Sequence, residues 1–438
     1  MQMREVENAI SIPRLERRNG RLMTRSGDVR SNPDEAAVLA FNAGSSSVKW
    51  AMFSHSSPGR RLLHGAVERI GDGAVVFVRD SRGVYLLHRH EQVANHTEAF
   101  RLIEALIKQS EWYSGLKAIG HRIVHGGRRG AGPVALSSDV EDELREFTAL
   151  APLHQPHNLA GVAAARRMLP HLPQIGCFDT DFHRDMPAVA QITTLPRPYF
   201  ENGIRRFGYH GLSFEYILEE LRQEKTDVAK ERIVVAHLGG GSSVCAIKEG
   251  RSIETTMGFS TLSGLPMGTR CGDLDPGLVL HLAAQKDMTI ESLTRLLYSE
   301  AGMLGLSQLS GSMQELLDKL DEPAVREAVD VFCYHTRQRI AGLTASLSGI
   351  DRLVFTGGIG TNAPLIRANI CAGLEYLGIA IDQQRNDAGS RLISRVGASV
   401  VVQAIATDEE AIIAKHVSDF LRASAEFDHN SASPGIET

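Results

Sequence analysis

The chain has 438 residues, 43% of them hydrophobic and 23% charged, with a formal net charge of −5. That length exceeds one compact core and implies two domains. The slightly acidic balance excludes a nucleic-acid footprint, and no apolar run approaches the roughly 18 residues of a membrane span, so any anion must be held by local groups.

Residues 1–35 are rich in Arg, poor in large apolar residues and without sustained periodicity. They read as a disordered tail, or as a mis-assigned start with Met23 the initiator, and the folded protein is expected from Ala36. There is no secretory apolar region, and the interleaved Glu and Asp argue against a transit peptide. The five cysteines, Cys177, Cys245, Cys271, Cys333 and Cys371, are scattered without a CxxC pair. That usage fits reduced thiols in a cytoplasm, with Cys371 a core residue.

From residue 36 the pattern alternates short β-branched runs with amphipathic segments. "VLAFNAGSSSVKWAMF" (38–53) reads as strand, tight Gly/Ser turn and strand. "EAFRLIEALIKQS" (98–110) carries Phe100, Ile103, Leu106 and Ile107 on one helical stripe. "LKAIGHRIVHGG" (116–127) is a strand running into glycines, and "LPQIGCFDTDFH" (172–183) a buried strand ending in polar residues. "VVAHLGGGSSVCAI" (234–247) then repeats the opening hairpin: without a gap, Val38, Ala40, Gly44, Ser46, Ser47 and Val48 fall on Val234, Ala236, Gly240, Ser242, Ser243 and Val244. "IDRLVFTGGIGTNAPLIRANI" (350–370) is a strand, a Gly-rich turn and a helix N-capped by Thr361 or Asn362. The class is α/β.

Two copies of one hairpin imply two related domains facing each other. A Gly/Ser turn exposes backbone N–H groups as an anion cradle, and serine hydroxyls add donors. The helix after "FTGGIG" adds an N-terminus that favours negative charge. One such turn alone is an ordinary β-turn; two matched copies and a third element point to phosphates. No GxxxxGK[ST] occurs, and "GGIG" lacks full GxGxxG spacing.

Polar clusters sit at strand ends: His121, Arg122 and His125; His154, His157 and Asn158; Asp179, Asp181 and His183; Tyr209 and His210; Arg270, Asp273 and Asp275; Asp408, Glu409 and Glu410. The histidines match no HExxH and join no cysteine pair, so zinc is not expected. Arginines with histidine and a few carboxylates suit phosphoryl transfer, whose charge spreads over oxygens that guanidinium forks fit. On this chemistry Arg122 and Arg270 are the clamps, His210 a third donor, and Asp179 and Glu409 metal-side carboxylates. The bland alternative for each arginine is a structural ion pair; Asp273 lies close enough in sequence to Arg270 to supply one.

These residues stand in longer stretches, "FNAGSSSVKW", "GHRIVHGG", "APLHQPHNL", "FDTDFH", "GYHGLSFEYI", "HLGGGSS", "TMGFSTLSGLPMGTRCGDLDPG", "VFTGGIGTNAPLIR" and "TDEEAIIA". With them the chain resembles the acetate kinase family, within the acetate and sugar kinase/Hsp70/actin fold group, from about residue 37 to about residue 420. The resemblance implies a two-domain duplicated ribonuclease H-like fold of the actin/sugar-kinase type with its active site in an interdomain cleft. Domain I would be 36–181 plus 410–425, on the acyl side, and domain II 182–409, on the nucleotide side, followed by a flexible tail at 426–438.

The implied reaction is reversible, Mg2+-dependent (or Mn2+-dependent) in-line transfer of a phosphoryl group from ATP to acetate, giving acetyl phosphate and ADP. A cytoplasmic homodimer is implied as well. Carried over, Asp179, His210 and Arg270 match the catalytic positions, and Asn42 and Glu409 the magnesium site. Arg122, Val124, Leu153 and Tyr209 match the acyl-substrate site, where the family usually has Phe at Tyr209. Nucleotide positions are matched by Ser47, Lys49, His237, Leu238, Gly239, Gly240, Gly241, Gly358, Ile359, Gly360, Thr361 and Asn362, and by Ser312, Met313 and Gln314 at the adenosine end. Several positions depart from the family pattern: Gly240 stands for Asn, Ser312-Met313-Gln314 for Asp-x-Arg, Thr361 for Glu, Thr261 for a pocket proline and Ser263 for Glu. The altered adenosine end leaves open pyrophosphate or another nucleotide as donor, and the altered acyl pocket propionate or butyrate as acceptor. A catalytically weak binding protein of the same fold is a third reading.

Overall fold

The computed structural model describes residues 35–44, 46–127, 132–224 and 227–431, together with 17–18 and 21–22. Most of the N-terminal tail therefore lies outside the described residues, except β1 (Arg17–Arg18) and β2 (Arg21–Leu22), which pair antiparallel. The tail from 432 onward lies outside them too.

The first sheet is built from β3 (Ala37–Ala43), β4 (Ser47–Ser54), β5 (Arg61–Glu68), β6 (Ala74–Asp80), β7 (Tyr85–Glu91), β8 (Leu116–Ile123), β9 (Val134–Ala135) and β10 (Gln174–Phe178). Its order is β7-β6-β5-β4-β3-β8-β10-β9. The second contains β11 (Ile233–Leu238), β12 (Ser242–Lys248), β13 (Arg251–Thr255), β14 (Arg352–Thr356) and β15 (Val401–Ala404), ordered β13-β12-β11-β14-β15. Five strands of the first sheet, β5-β4-β3-β8-β10, repeat the order and directions of the second. In each, three strands run antiparallel and two more continue parallel to the hairpin's first strand. This is the duplicated α/β fold that the resemblance implied.

The central strands are mostly apolar because both faces are covered. β11 and β14 are buried at every position. The expected helix near 98 runs over His96–Lys108, capped by Asn95 Oδ1 on the Glu98 amide, with Phe100, Ile103, Leu106 and Ile107 buried. Two helices cross between the sheets. Gly211–Glu224 buries Phe214, Ile217, Leu218 and Leu221 against β11, β12 and β14, while the C-terminal helix Glu409–Ser431 buries Ile412, Ile413 and Val417 against β3, β8 and β10. The C-terminal helix runs to Ser431, past the expected domain end at 425.

The hairpin repeat needs one correction. β3 and β11 align without a gap, but Ala40 pairs with Ala51 whereas Ala236 pairs with Val244. Val244 thus corresponds to Ala51 rather than Val48: the first turn is three residues longer, which a gapless reading cannot register. A second correction concerns "TGGIGTN". The helix begins at Gly357, with Thr356 in the extended N-cap position, and ends at Asn362 before a new helix at Pro364. Thr361 is inside the helix, its hydroxyl donating to the Gly357 carbonyl at 2.7 Å.

Candidate active site

Parallel strands leave their C-terminal ends together, and ligands bind there in open α/β sheets. Here those ends carry Arg122 on β8, Asp179 just after β10, His237 on β11 and Gly357 after β14, with Asn42 near the end of β3. Glu409 opens the C-terminal helix after β15. One continuous cleft is lined from the first domain by Asn42, Gly44, Ser46, Ser47, Lys49, Arg122, Leu153 and His154. From the second come His210, His237, Gly239, Gly240, Gly241, Arg270, Gly357 and Gly358, while Glu409, at the start of the helix packed on the first sheet, joins the first-domain wall. The two Gly/Ser turns thus oppose each other across it.

Arg122 is the hub of the first-domain wall. Its Nε reaches both oxygens of Asp179 at 3.0 and 3.1 Å, and Nη2 adds a third contact at 2.6 Å. Nη1 donates to Asn42 Oδ1 at 3.2 Å and lies 3.4 Å from Glu409. The Asn42 amide donates in turn to Glu409 at 2.9 Å. Asp179 is fully buried, and burial pushes its carboxyl up to about 6 against the pull of Arg122. Burial would raise Glu409 as well, but Arg122, His237 and Lys49 hold it below its ordinary value.

The second-domain wall is cationic or neutral. Arg270 is buried, and Nη1 donates to the Thr261 carbonyl at 2.7 Å. The sequence-adjacent Asp273 pairs instead with Arg339 and accepts from the Gly264 amide. Among the described residues no carboxylate makes an ion pair with Arg270, so the structural alternative supplied by Asp273 falls away. Burial holds His210 well below the ordinary imidazole value, reinforced by His237, Arg122 and Arg270, and takes His237 down to about 4. The two neutral rings stack at 4.3 Å, with Ser243 Oγ on His210 Nδ1 and Ser213 Oγ on His237 Nδ1, each at 2.8 Å.

Backbone detail makes these approaches possible. His210 adopts φ 61°, a left-handed conformation that costs a non-glycine residue energy. A Cβ on Gly211 would lie 2.3 Å from the Asp179 carbonyl, which the Gly211 amide bonds at 2.8 Å. A Cβ on Gly241 would fall 2.6 Å from Arg270 Nη2 and 3.1 Å from His210 Nε2. Only a glycine lets the second turn meet both donors.

The remaining expectations divide. Val124 and Tyr209 pack with Ala151, Met257 and Met267 in a small apolar cluster, and Leu153 lines the cleft. Leu238 is buried in β11, next to the turn but outside the lining. Of the helix 357–362, Gly358 reaches the cleft, while Ile359, Gly360, Thr361 and Asn362 do not line it. Met313 is buried in the second domain's core, and Ser312 and Gln314 flank it on the surface. His121 and His125 are buried, bonded to Gln174 and the Gly127 amide respectively. Among the described residues no three His, Cys, Asp or Glu form a metal cluster.

Sequence reasoning grouped His154 with polar residues without placing it in the site. It lines the cleft, and burial, with Arg270 and Arg122, holds it well below the ordinary value. Gly357, Thr269, Thr407 and Glu410 also line it. The signal available was adjacency to motif residues already chosen.

Opposed anion cradles, one domain offering carboxylates and the other a guanidinium and two imidazoles, place the chain among the phosphotransferases of the duplicated α/β fold. More narrowly, the chain belongs to the Acetokinase family, whose model matches residues 37–415. It is 42% identical over 390 residues to the acetate kinase of Methylocella silvestris, covering 86% of this chain and 96% of that one. It is 43% identical over 387 residues to the acetate kinase of Rhodopseudomonas palustris, covering 87% and 97%. Among solved structures, Porphyromonas gingivalis acetate kinase superposes with a TM-score of 0.76 at 33% identity, covering 88% of this chain and all of that one. A propionate kinase from Francisella tularensis superposes at 0.79 with 32% identity, covering 87% and 98%.

Proposed function

We propose that this protein is an acetate kinase, transferring a phosphoryl group reversibly between ATP and acetate to give acetyl phosphate and ADP. The observation that carries the reading is the meeting of Arg270 and neutral His210 at Gly241, across the cleft from Arg122. These are fixed donors aimed where charge develops on a transferring phosphoryl group. A carboxylate acceptor is already ionised at neutral pH, so no general base is needed. Asp179, held by three contacts from Arg122, orients that guanidinium rather than taking a proton. Ser243 Oγ lies 2.8 Å from Nδ1, and in the tautomer that accepts from this hydroxyl His210 offers Nε2–H to the phosphoryl oxygens. Val124, Leu153 and Tyr209 form the apolar wall for a short acyl chain.

The family implies Mg2+ or Mn2+. Asn42, Asp179 and Glu409 offer hard oxygen donors without a full protein cage, the kind of set that Mg2+ completes with water and phosphate. When bound, the ion would neutralise phosphate charge. Asn42 and Glu409 would hold it, with Asp179 behind them. Ser47, Lys49, His237 and the Gly239–Gly241 turn would meet the phosphates, and closure of the domains would exclude water from the acyl phosphate. A cytoplasmic homodimer belongs to the same reading; sedimentation velocity checks the dimer.

A second reading replaces ATP by pyrophosphate. The observation favouring it is that Ser312 and Gln314, both exposed, put uncharged side chains at the two positions matched to the Asp and Arg of the adenosine end. The test is a donor panel with hydroxylamine trapping of acetyl phosphate, comparing ATP, GTP and pyrophosphate at saturating acetate and Mg2+. Turnover with ATP supports the first reading and turnover only with pyrophosphate the second. Silence with every donor, and in reverse, removes both. Propionate and butyrate replace acetate in a parallel panel.

A further inference from the structure

The ring of Tyr209 belongs to the acyl wall, but its hydroxyl does not face the cleft. It donates to the Phe259 carbonyl at 2.9 Å. Two residues on, the Thr261 carbonyl accepts from Arg270 Nη1 at 2.7 Å, and the Thr261 amide donates to the Leu150 carbonyl of the first domain at 3.2 Å. The turn Phe259–Thr261 is thus pinned at its start by Tyr209, while at its end Thr261 bonds the other domain through its amide and the guanidinium through its carbonyl. Tyr209 immediately precedes His210, so one short segment fixes both donors at Gly241.

We infer that Tyr209 is a positioning residue for Arg270, its hydroxyl clamping the turn whose carbonyl orients the guanidinium. The two departures from the family pattern fit together on this view. A proline at 261 would stiffen the turn through its ring but could not donate to Leu150. Thr261 makes that bond, and the Tyr209 hydroxyl supplies the restraint that the ring would give. Buried at 1% exposure, Tyr209 gains nothing from its hydroxyl unless the hydroxyl is bonded.

The inference rests on the acetate kinase reading for its kinetic arm and on geometry alone for the other. Tyr209→Phe keeps the ring and removes the clamp. Amide exchange of the peptide 257–263 should rise about tenfold as the turn opens, whether or not the protein turns over acetate; unchanged exchange overturns the clamp. In initial-rate assays kcat should fall about tenfold, with the KM values for acetate and ATP and the thermal midpoint nearly unchanged. The same substitution in an Arg270→Lys background should change kcat less than about twofold, because the group being positioned is gone. An equal loss in both backgrounds, or a loss confined to the acetate KM, overturns the role through Arg270. Silence of the unsubstituted protein counts against acetate kinase activity and leaves the exchange result to decide the clamp.

Discussion

Arg122 and Asp179 stand at the ends of adjacent parallel strands, and the guanidinium of one holds both oxygens of the other at 2.6 to 3.1 Å. Asp179 is fully buried and Arg122 partly so, and through Arg122 the pair joins Asn42 and Glu409 on the first-domain wall. Breaking a buried ion pair from one side leaves an uncompensated charge. Arg122→Ala should therefore cost about 3–5 kcal/mol in urea unfolding at pH 7. Arg122→Lys keeps the charge and loses the fork. It should raise the acetate KM about tenfold, an effect of order 1.4 kcal/mol, at much smaller cost in stability. If both variants unfold like the unsubstituted protein, the pair does not hold the site together.

The same burial sets an acid limb on activity. Asp179 must be a carboxylate to hold Arg122, and its carboxyl is pushed up to about 6. Rates at subsaturating acetate should fall as pH drops through about 6. Glu409, held below its ordinary value, and the already neutral His210 and His237 do not titrate in that window. A carboxyl raised on folding binds its proton more tightly in the folded state, so this group does not destabilise the fold between pH 7 and 5. Circular dichroism at pH 5 should show an intact fold; a limb centred below pH 5 would remove Asp179 as its source.

Gly241→Ala isolates the convergence of the two donors. The new Cβ would lie 2.6 Å from Arg270 Nη2, the movable end of a side chain, so the fold survives while the guanidinium is displaced. Turnover should fall about a hundredfold with a thermal midpoint within a few degrees of the unsubstituted protein. Near-normal turnover would show that Arg270 acts from elsewhere.

What could be read from the sequence was local in the chain. The paired apolar hairpins, the helical stripe at 98–110 and the glycines at strand ends are short-range patterns, and they gave both sheets their centres. The turn-length difference stayed hidden because register is a property of the pairing partner, not of one strand. Asp179 and Arg122 are 57 residues apart and meet through the β8–β10 register, with Cys177 opposite Arg122. Local reasoning also proposed Asp273 for Arg270 by adjacency, whereas the long helix from Pro323 brings Arg339 to Asp273. The cap at 356 was missed because Thr361 and Asn362 look like caps while Gly357 and Gly358 look like a turn.

Arg270→Ala tests the division of labour between the walls. Its guanidinium is anchored on a main-chain carbonyl rather than a carboxylate, so its charge remains available to the phosphoryl group. Removal should lower kcat about a thousandfold and leave nucleotide affinity, measured by calorimetry with ADP, within about threefold. A matching loss of ADP affinity would make Arg270 a ground-state ligand of the donor.

Stability at alkaline pH should depend on a pair that ties the crossing helices together. His416, on the C-terminal helix, lies 2.8 Å from Glu215 on the helix that begins one residue after His210. Burial opposes its charge, but hydrogen bonds with Cys177 and Glu215 raise the imidazole to about 10, against an unfolded value near 6.5. Because the folded value is the higher one, the stabilisation is complete below about pH 6.5 and is lost as pH rises toward 10. Glu215→Gln should cost about 2 kcal/mol at pH 6 and flatten the decline in stability between pH 7 and 9. Urea unfolding of both proteins across that range decides it. Parallel curves would mean that the helices are joined by their apolar contacts alone.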